Sequence, residues 1–350
     1  MATIILTGGG TAGHCIPHLA LLPYLKNDFD NIYYIGSEKG LEKNIIEKAN
    51  IPFYSVPCVK LVRSFNLKNL SIPFILLNGI RKAGKILDEL KPSVIFSKGG
   101  YVAIPTVIAA KKRGIPVISH ESDYSMGLAN KFLSKYSKKV LTSFPDTAKQ
   151  VKNGEYCGSP IRFFVNKQNN KETLSYFGFT GDKPILLVTG GSLGAQKINA
   201  TLREALNELL EKYDIIHICG KGNLDDKLNL KGYFQTEFIT DMSKPFSICS
   251  VCVTRAGSNT LFELLSLNIP SVLIPLPKGV SRGDQVENAT YFQKLGLVTV
   301  LPQQALTKNS LALAINSTYQ GRNAIKRNLE LSPIKDKSRQ ISRIIADYKR

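Results

Sequence analysis

Acidic residues are scarce in this 350-residue chain, 27 Asp+Glu against 46 Lys+Arg, for a formal net charge of +19. An excess of this size points to a phosphorylated small molecule, an anionic lipid surface or nucleic acid as partner, but no recognised nucleic-acid motif is present. The charge is shared, with +10 in residues 1–160 and +9 beyond. Long apolar runs are missing too. The longest helix-compatible one, Ile72–Leu77, is far short of the ~20 residues that cross a bilayer. No basic, apolar and small-residue leader precedes the first strand pattern, so a cytoplasmic location is expected. The six cysteines (15, 58, 157, 219, 249 and 252) are scattered and read as thiols of a reducing compartment.

Metal signatures are equally thin. Asp28-Phe29-Asp30 has D-x-D spacing, but it falls in a turn before the second strand, away from the glycine-rich turns, and reads as a solvated turn. Cys249-x-x-Cys252 has no second pair, and His18, His120 and His217 are dispersed, so no metal site is expected.

Short β-type runs alternate with helical patterns. Strands are expected at 3–7, 31–35, 94–97, 116–119 and 139–142, with helices near 17–26, 39–48, 72–90, 103–113 and 126–136. After a less ordered stretch at about 157–171 the pattern restarts, with strands at 185–189, 215–219, 234–238, 251–254 and 271–274. Alternation of this kind predicts parallel sheets covered on both faces. Two α/β domains are expected, 1–160 and 161–334, with a final helix within 335–350 returning to the first.

Each half opens with the same device. Thr7-Gly8-Gly9-Gly10-Thr11-Ala12-Gly13 and Thr189-Gly190-Gly191-Ser192-Leu193-Gly194-Ala195 both follow an apolar strand and precede a helix, 182 residues apart. Such a turn brings backbone close to a ligand and aims unpaired N–H groups at it, which suits a diphosphate. Gly8, Gly10 and Gly13 also satisfy G-x-G-x-x-G, with Glu38 where a ribose-binding acid sits in dinucleotide oxidoreductases. That reading explains neither the second turn nor the charge, but the residues alone leave it open.

GGGTAGHCIP at 8–17, SKGGYVAIP at 97–105, HESD at 120–123 with GLANK at 127–131, GSPIR at 158–162, GGSLGAQKIN at 190–199, TRAGSNTLFE at 254–263 and RGDQVENA at 282–289 together resemble the MurG family of N-acetylglucosaminyltransferases, nearly end to end. The resemblance implies a GT-B fold, two Rossmann-like domains facing a central cleft. It implies inverting transfer of GlcNAc from UDP-GlcNAc to the C4 hydroxyl of lipid I, giving lipid II for the peptidoglycan that sets cell shape and permits division. No cofactor is implied, and the location becomes the cytoplasmic face of the cell membrane, with a cell-wall synthesis complex as a further partner. Another lipid acceptor, or UDP-sugar binding without catalysis, stays open.

By the same resemblance His14 is the general-base candidate, a role a neutral imidazole suits near pH 7; ordering the loop or binding phosphate is the alternative. Thr11, Ala12, Gly13, Arg162, Ser192, Glu263 and Gln285 match donor-side positions. Glu263 takes the ribose hydroxyls and Gln285 the sugar, whereas Ser192 equally suits a helix N-cap. Gly9, Gly10, Gly99, Gly100, Tyr101, His120, Glu121 and Asp123 match the acceptor side. The family usually has Asn at the position of Asp123, and a carboxylate there can accept but not donate. In the helix opened by Ser71 and Pro73, a core face of Leu76, Ile80, Ala83, Leu87 and Leu90 leaves Phe74 and Ile75 beside Arg81, Lys82 and Lys85, a pattern suited to an anionic membrane or to packing under a loop.

Overall fold

The computed structural model describes residues 1–60, 71–162, 170–191 and 194–349. The chain forms two compact units, Met1–Arg162 with Asp336–Arg350, and Phe163–Lys335.

Unit 1 is built on seven parallel strands, β1 (Thr3–Gly8), β2 (Asn31–Ser37), β3 (Phe53–Val56), β4 (Val94–Gly99), β5 (Val117–Glu121), β6 (Lys139–Thr142) and β7 (Gly154–Tyr156), in the order β3-β2-β1-β4-β5-β6-β7. Chain order reverses at β1 and β4, the place where ligands of such sheets bind. Ile4 and Leu6 point into one core layer with Phe96 and Ile118, and Ile5 into the other with Ile95 and Val117, the two-sided burial that a parallel sheet requires.

The final helix, Ser338–Ala346, belongs to unit 1. Its Ile341 and Ile345 are fully buried in one layer with Leu21 and Leu25 of helix Ile16–Asp28. The Ile161 amide donates to Asp336 Oδ1 (3.0 Å) and Ser338 Oγ (3.2 Å), which fixes the start of that returning segment.

Unit 2 repeats the plan with six strands, β8 (Ile185–Thr189), β9 (Asp214–Ile218), β10 (Tyr233–Thr236), β11 (Cys249–Thr254), β12 (Ser271–Leu273) and β13 (Thr299–Val300), in the order β10-β9-β8-β11-β12-β13, all parallel. Its reversal lies at β8 and β11.

The interior strands fall where the sequence puts them, and the edges do not. β3, β7 and β13 are short edge strands absent from the sequence reading, and the edge strand β10 ends at Thr236, leaving Phe238 outside it and 65% exposed. An edge strand of two to four residues, half in water, carries too little apolar periodicity to register.

Helix Ile72–Leu90 also differs from expectation. Ser71 takes an α-helical backbone and does not cap it. The buried residues are Gly79, Ala83, Gly84, Ile86 and Leu87. Gly79 meets the Pro57 carbonyl and Gly84 the Arg113 guanidinium at distances no Cβ allows. Two glycines therefore define the buried stripe while contributing nothing to an apolar pattern. Ala83 and Leu87 of the expected core face are buried, with Ile80 and Leu90 packed against the same core, while Ile75 is half-buried and Leu77 stands exposed with Phe74.

Candidate active site

In unit 1 the site grows from the ends of β1, β4 and β5. After β1 the chain turns through Gly9, Gly10 and Thr11 into a 3-10 turn, Ala12–His14, and then helix Ile16–Asp28. The Gly9 amide donates to the Gly99 carbonyl (3.3 Å), so the two glycine turns are tied to each other. Gly10 has φ +86° and its missing side chain leaves room for the Tyr101 ring. Gly100, at φ +77°, lies against the Gly9 carbonyl and the His14 ring. Gly9, Gly10, His14, Gly99, Gly100 and Tyr101 thus form one assembly at the carboxyl ends of β1 and β4.

His14 is half-buried, and its Nδ1 lies 3.0 Å from the Lys98 carbonyl. A carbonyl only accepts, so in the neutral ring Nδ1 carries the proton and Nε2 the lone pair. Thr11 is exposed beside it, and Gly13 is half-buried.

His120 and Glu121 lie under the surface. Glu121 is 3% exposed, and its carboxylate accepts from the amides of Ser122 (2.8 Å), Asp123 (3.0 Å) and Gly127 (3.1 Å) and from Asn130 Nδ2 (2.9 Å). Four donors saturate a carboxylate, which makes Glu121 the pin of the 121–127 loop. His120 is held through Nε2 by the Gly158 carbonyl (2.9 Å), and burial together with the Lys98 charge pulls its pKa well below the usual value. Asp123 is half-buried on the same loop, its backbone amide spent on Glu121.

Two residues here escaped the sequence reading. Glu42, in the first turn of helix Leu41–Glu47, is fully buried. Its carboxylate accepts from the Ser37 amide (3.1 Å), Ser37 Oγ (2.5 Å) and the Gly10 amide (3.4 Å). Lys98 is buried behind the Gly99-Gly100 turn, and its position inside SKGGYVAIP was the one available signal.

In unit 2, β8 runs into Gly190 and Gly191, and helix Gln196–Glu204 follows Gly194 and Ala195; the Gly194 amide closes the turn on the Gly191 carbonyl (2.9 Å). Ser192 lies outside the described residues. After β11, Arg255 donates to the Ile274 carbonyl (3.0 Å), and burial lowers its pKa. Helix Ser258–Ser266 then starts at Gly257 and carries Glu263, 9% exposed. Gln285 sits in the first turn of helix Asp284–Lys294, where its Oε1 accepts the Leu276 amide (3.1 Å). That bond orients the amide so that Nε2 is the donor end. Buried Asn288 donates to the Ala256 carbonyl (3.2 Å) and so ties the Gln285 helix to the turn that opens the Glu263 helix. Arg162 is the last residue of unit 1, two positions past the boundary expected from sequence.

Outside the sheet edges, Glu38 is exposed and paired with Lys82 (3.2 Å). Asp30 accepts from the Ala2 amide (2.6 Å), and among the described residues no group of three or more His, Cys, Asp or Glu is arranged to hold a metal ion. No helix of the described residues is long and apolar enough to cross a membrane.

Comparison with known proteins agrees with this architecture. Residues 4–142 match the glycosyltransferase family 28 N-terminal domain and residues 185–343 the glycosyltransferase family 28 C-terminal domain. The chain is 46% identical over 334 residues to a UDP-N-acetylglucosamine--N-acetylmuramyl-(pentapeptide) pyrophosphoryl-undecaprenol N-acetylglucosamine transferase of Bacillus thuringiensis subsp. konkukian, covering 94% of this chain and 95% of the relative. It is 44% identical over 351 residues to the enzyme of that name from Lachnospira eligens, covering 99% of each. The fold is that of the crystal structure of Acinetobacter baumannii MurG, at TM-score 0.76 and 24% identity over 99% of this chain and 100% of that one. With both domain models matched in order and relatives of this identity spanning nearly its whole length, the chain belongs to the MurG family of glycosyltransferases.

Proposed function

We propose that this enzyme transfers GlcNAc from UDP-GlcNAc to the C4 hydroxyl of MurNAc in undecaprenyl-diphosphate-MurNAc-pentapeptide, lipid I, with inversion, yielding lipid II and UDP. The observation that carries the chemistry is the bond from His14 Nδ1 to the Lys98 carbonyl. It puts the lone pair on Nε2, the nitrogen that takes the hydroxyl proton as the C4 oxygen attacks the anomeric carbon, while the bond from that carbon to the UDP oxygen breaks and its electron pair leaves with UDP. The twin glycine turns divide the two diphosphates between the units. Gly9, Gly10, Thr11 and Gly13 with the Gly99-Gly100-Tyr101 turn serve the acceptor and the reacting sugar, and the turn before helix Gln196–Glu204 serves UDP through backbone N–H groups. Glu263 accepts from the ribose hydroxyls, Gln285 Nε2 donates to the sugar, and Arg162 supports the nucleotide.

Glu121 and His120 act beneath the acceptor side by shaping the loop that carries Asp123. The lipid tail is met by helix Ile72–Leu90. Phe74 (76% exposed) and Leu77 (51%) stand on one stripe with Arg81 and Lys85, and Lys82 lies alongside, an apolar patch edged by cations that suits peripheral contact with an anionic leaflet. Ile75, half-buried, flanks that patch.

The test is the stereochemistry and acceptor of the product. Incubation with UDP-GlcNAc and a short-chain lipid I analogue should give a β-linked disaccharide by NMR. UDP binding with glycosylation of a different polyprenyl lipid instead would retain the fold and donor site and overturn the acceptor assignment.

A further inference from the structure

Lys98 is the extra residue of a bulge. Between β1 and β4, Thr7 pairs with Ser97 and Gly8 with Gly99, and β4 pairs with β5 only as far as Ser97–Ser119. Lys98 itself therefore has no ladder partner on either side, although the Gly99 amide of the same peptide donates to Ser97 Oγ (3.1 Å), and a bulge beside a site re-aims what it carries. Its side chain is 1% exposed, with Nζ 2.6 Å from His120 Nδ1 and 2.5 Å from Ser122 Oγ. Because His120 Nε2 faces the Gly158 carbonyl and must carry the proton there, Nδ1 holds the lone pair and the ammonium donates to it. The same residue's carbonyl receives the His14 Nδ1 proton.

We infer that Lys98 is a positioning residue for glycosyl transfer. Its side chain fastens the start of the 121–127 loop, and that anchorage holds its own carbonyl where it sets the tautomer of His14. The inference rests on His14 being the base. The groups facing the ammonium are Glu121 and Asp123 on the β5 side, Cys157 after β7, His120 within β5, and His18 from the first helix. Burial pulls the Lys98 pKa down to about 8, opposed chiefly by Glu121. As pH rises through that value the charge that offsets Glu121 and Asp123 is lost, the bond to His120 weakens, and turnover should fall.

The experiment compares kcat from pH 6.5 to 9.5 for wild type, Lys98→Met, Ser122→Ala and His14→Ala, using UDP-GlcNAc and the short-chain acceptor. Methionine keeps an unbranched side chain, one atom shorter, and removes the donor. Wild type should lose turnover above about pH 8. Lys98→Met should be down at least tenfold at pH 7.5, should lack that basic limb, and should keep KM for UDP-GlcNAc within twofold. Ser122→Ala removes one acceptor from the charged form, so its basic limb should move to lower pH. A folded Lys98→Met within twofold of wild-type kcat, or a wild-type basic limb in both variants, overturns the inference. Should Lys98→Met fail to fold, Ser122→Ala decides by whether its limb moves. An active His14→Ala would remove the base reading itself, whereas an inactive His14→Ala beside a wild-type-like Lys98→Met would sink this inference alone.

Discussion

Removing the Glu42 carboxylate should cost unit 1 both stability and turnover. The side chain is fully buried and receives two good hydrogen bonds from Ser37 and a longer one from the Gly10 amide. Hydrogen bonds to a charged group contribute roughly 1.5–3 kcal/mol each, and a buried donor left without a partner costs about 1–3 kcal/mol. Glu42→Ala strands the Ser37 amide and leaves a cavity under Gly9, so a loss of roughly 3–5 kcal/mol is expected. For a unit of this size that corresponds to a melting temperature lower by about 6–20 °C at roughly 2–4 °C per kcal/mol. Glu42→Gln is the sharper probe. Its carbonyl oxygen can still accept from Ser37, but its amide nitrogen then faces the Gly10 N–H, donor against donor. The fold should survive with about 1–2 kcal/mol lost, while kcat/KM for the acceptor falls on the order of tenfold as the glycine turn loosens. Calorimetry with UDP present, alongside steady-state kinetics, reads both quantities. An unchanged melting temperature in Glu42→Ala, or full acceptor turnover in Glu42→Gln, would refute the claim that this carboxylate holds the first turn.

Three further outcomes follow from the same geometry. Gly100→Ala places a Cβ against the Gly9 carbonyl and the His14 ring at a positive φ, so kcat should drop at least tenfold while UDP affinity, read by calorimetry, stays within twofold. Phe74→Glu combined with Leu77→Glu should abolish sedimentation with vesicles containing anionic lipid, and retention of vesicle binding would remove that patch from the membrane reading. His18 is buried with its pKa pulled to about 3, and burial likewise lowers His120. A folded-state pKa below the unfolded ~6.5 means the unfolded chain takes up protons first, so stability is fully present above pH 6.5 and falls as pH drops toward 3, by up to ~1.4 kcal/mol per pH unit per histidine. Urea midpoints at pH 7.5, 6 and 5 should decline accordingly, and His18→Asn should flatten part of that slope.

How much was legible in the chain depended on whether a residue advertised its role alone or through neighbours. The glycine turns at 8–13 and 190–195 were readable because only glycine-rich strand-to-helix connections suit close backbone approach, and the second copy strengthened the first. The central strands were readable because burial on both faces writes a continuous apolar run. Glu42 was silent, since a helical Glu is ordinarily a solvated residue and only tertiary contact makes it the partner of Gly10. Lys98 gave no signal of burial for the same reason. The core face of helix Ile72–Leu90 was legible in Ile80, Ala83, Leu87 and Leu90, whereas the close contacts at Gly79 and Gly84 were not, since a glycine adds nothing to an apolar pattern. Glu121 and His120 were found by motif, but their place beneath the loop became visible only through the donors that saturate them.

The central claim is that His14 takes the proton from the attacking hydroxyl. Transfer of radiolabelled GlcNAc from UDP-GlcNAc to a short-chain lipid I analogue by wild type, His14→Ala and Glu263→Ala, with UDP affinity measured for each, tests it most directly. The His14→Ala enzyme should bind UDP as wild type does yet be slowed at least a hundredfold, the ~10²–10⁴ range of general-base catalysis, and the Glu263→Ala enzyme should show its defect in UDP affinity. Transfer by His14→Ala at more than a tenth of the wild-type rate, with UDP affinity intact, would contradict it.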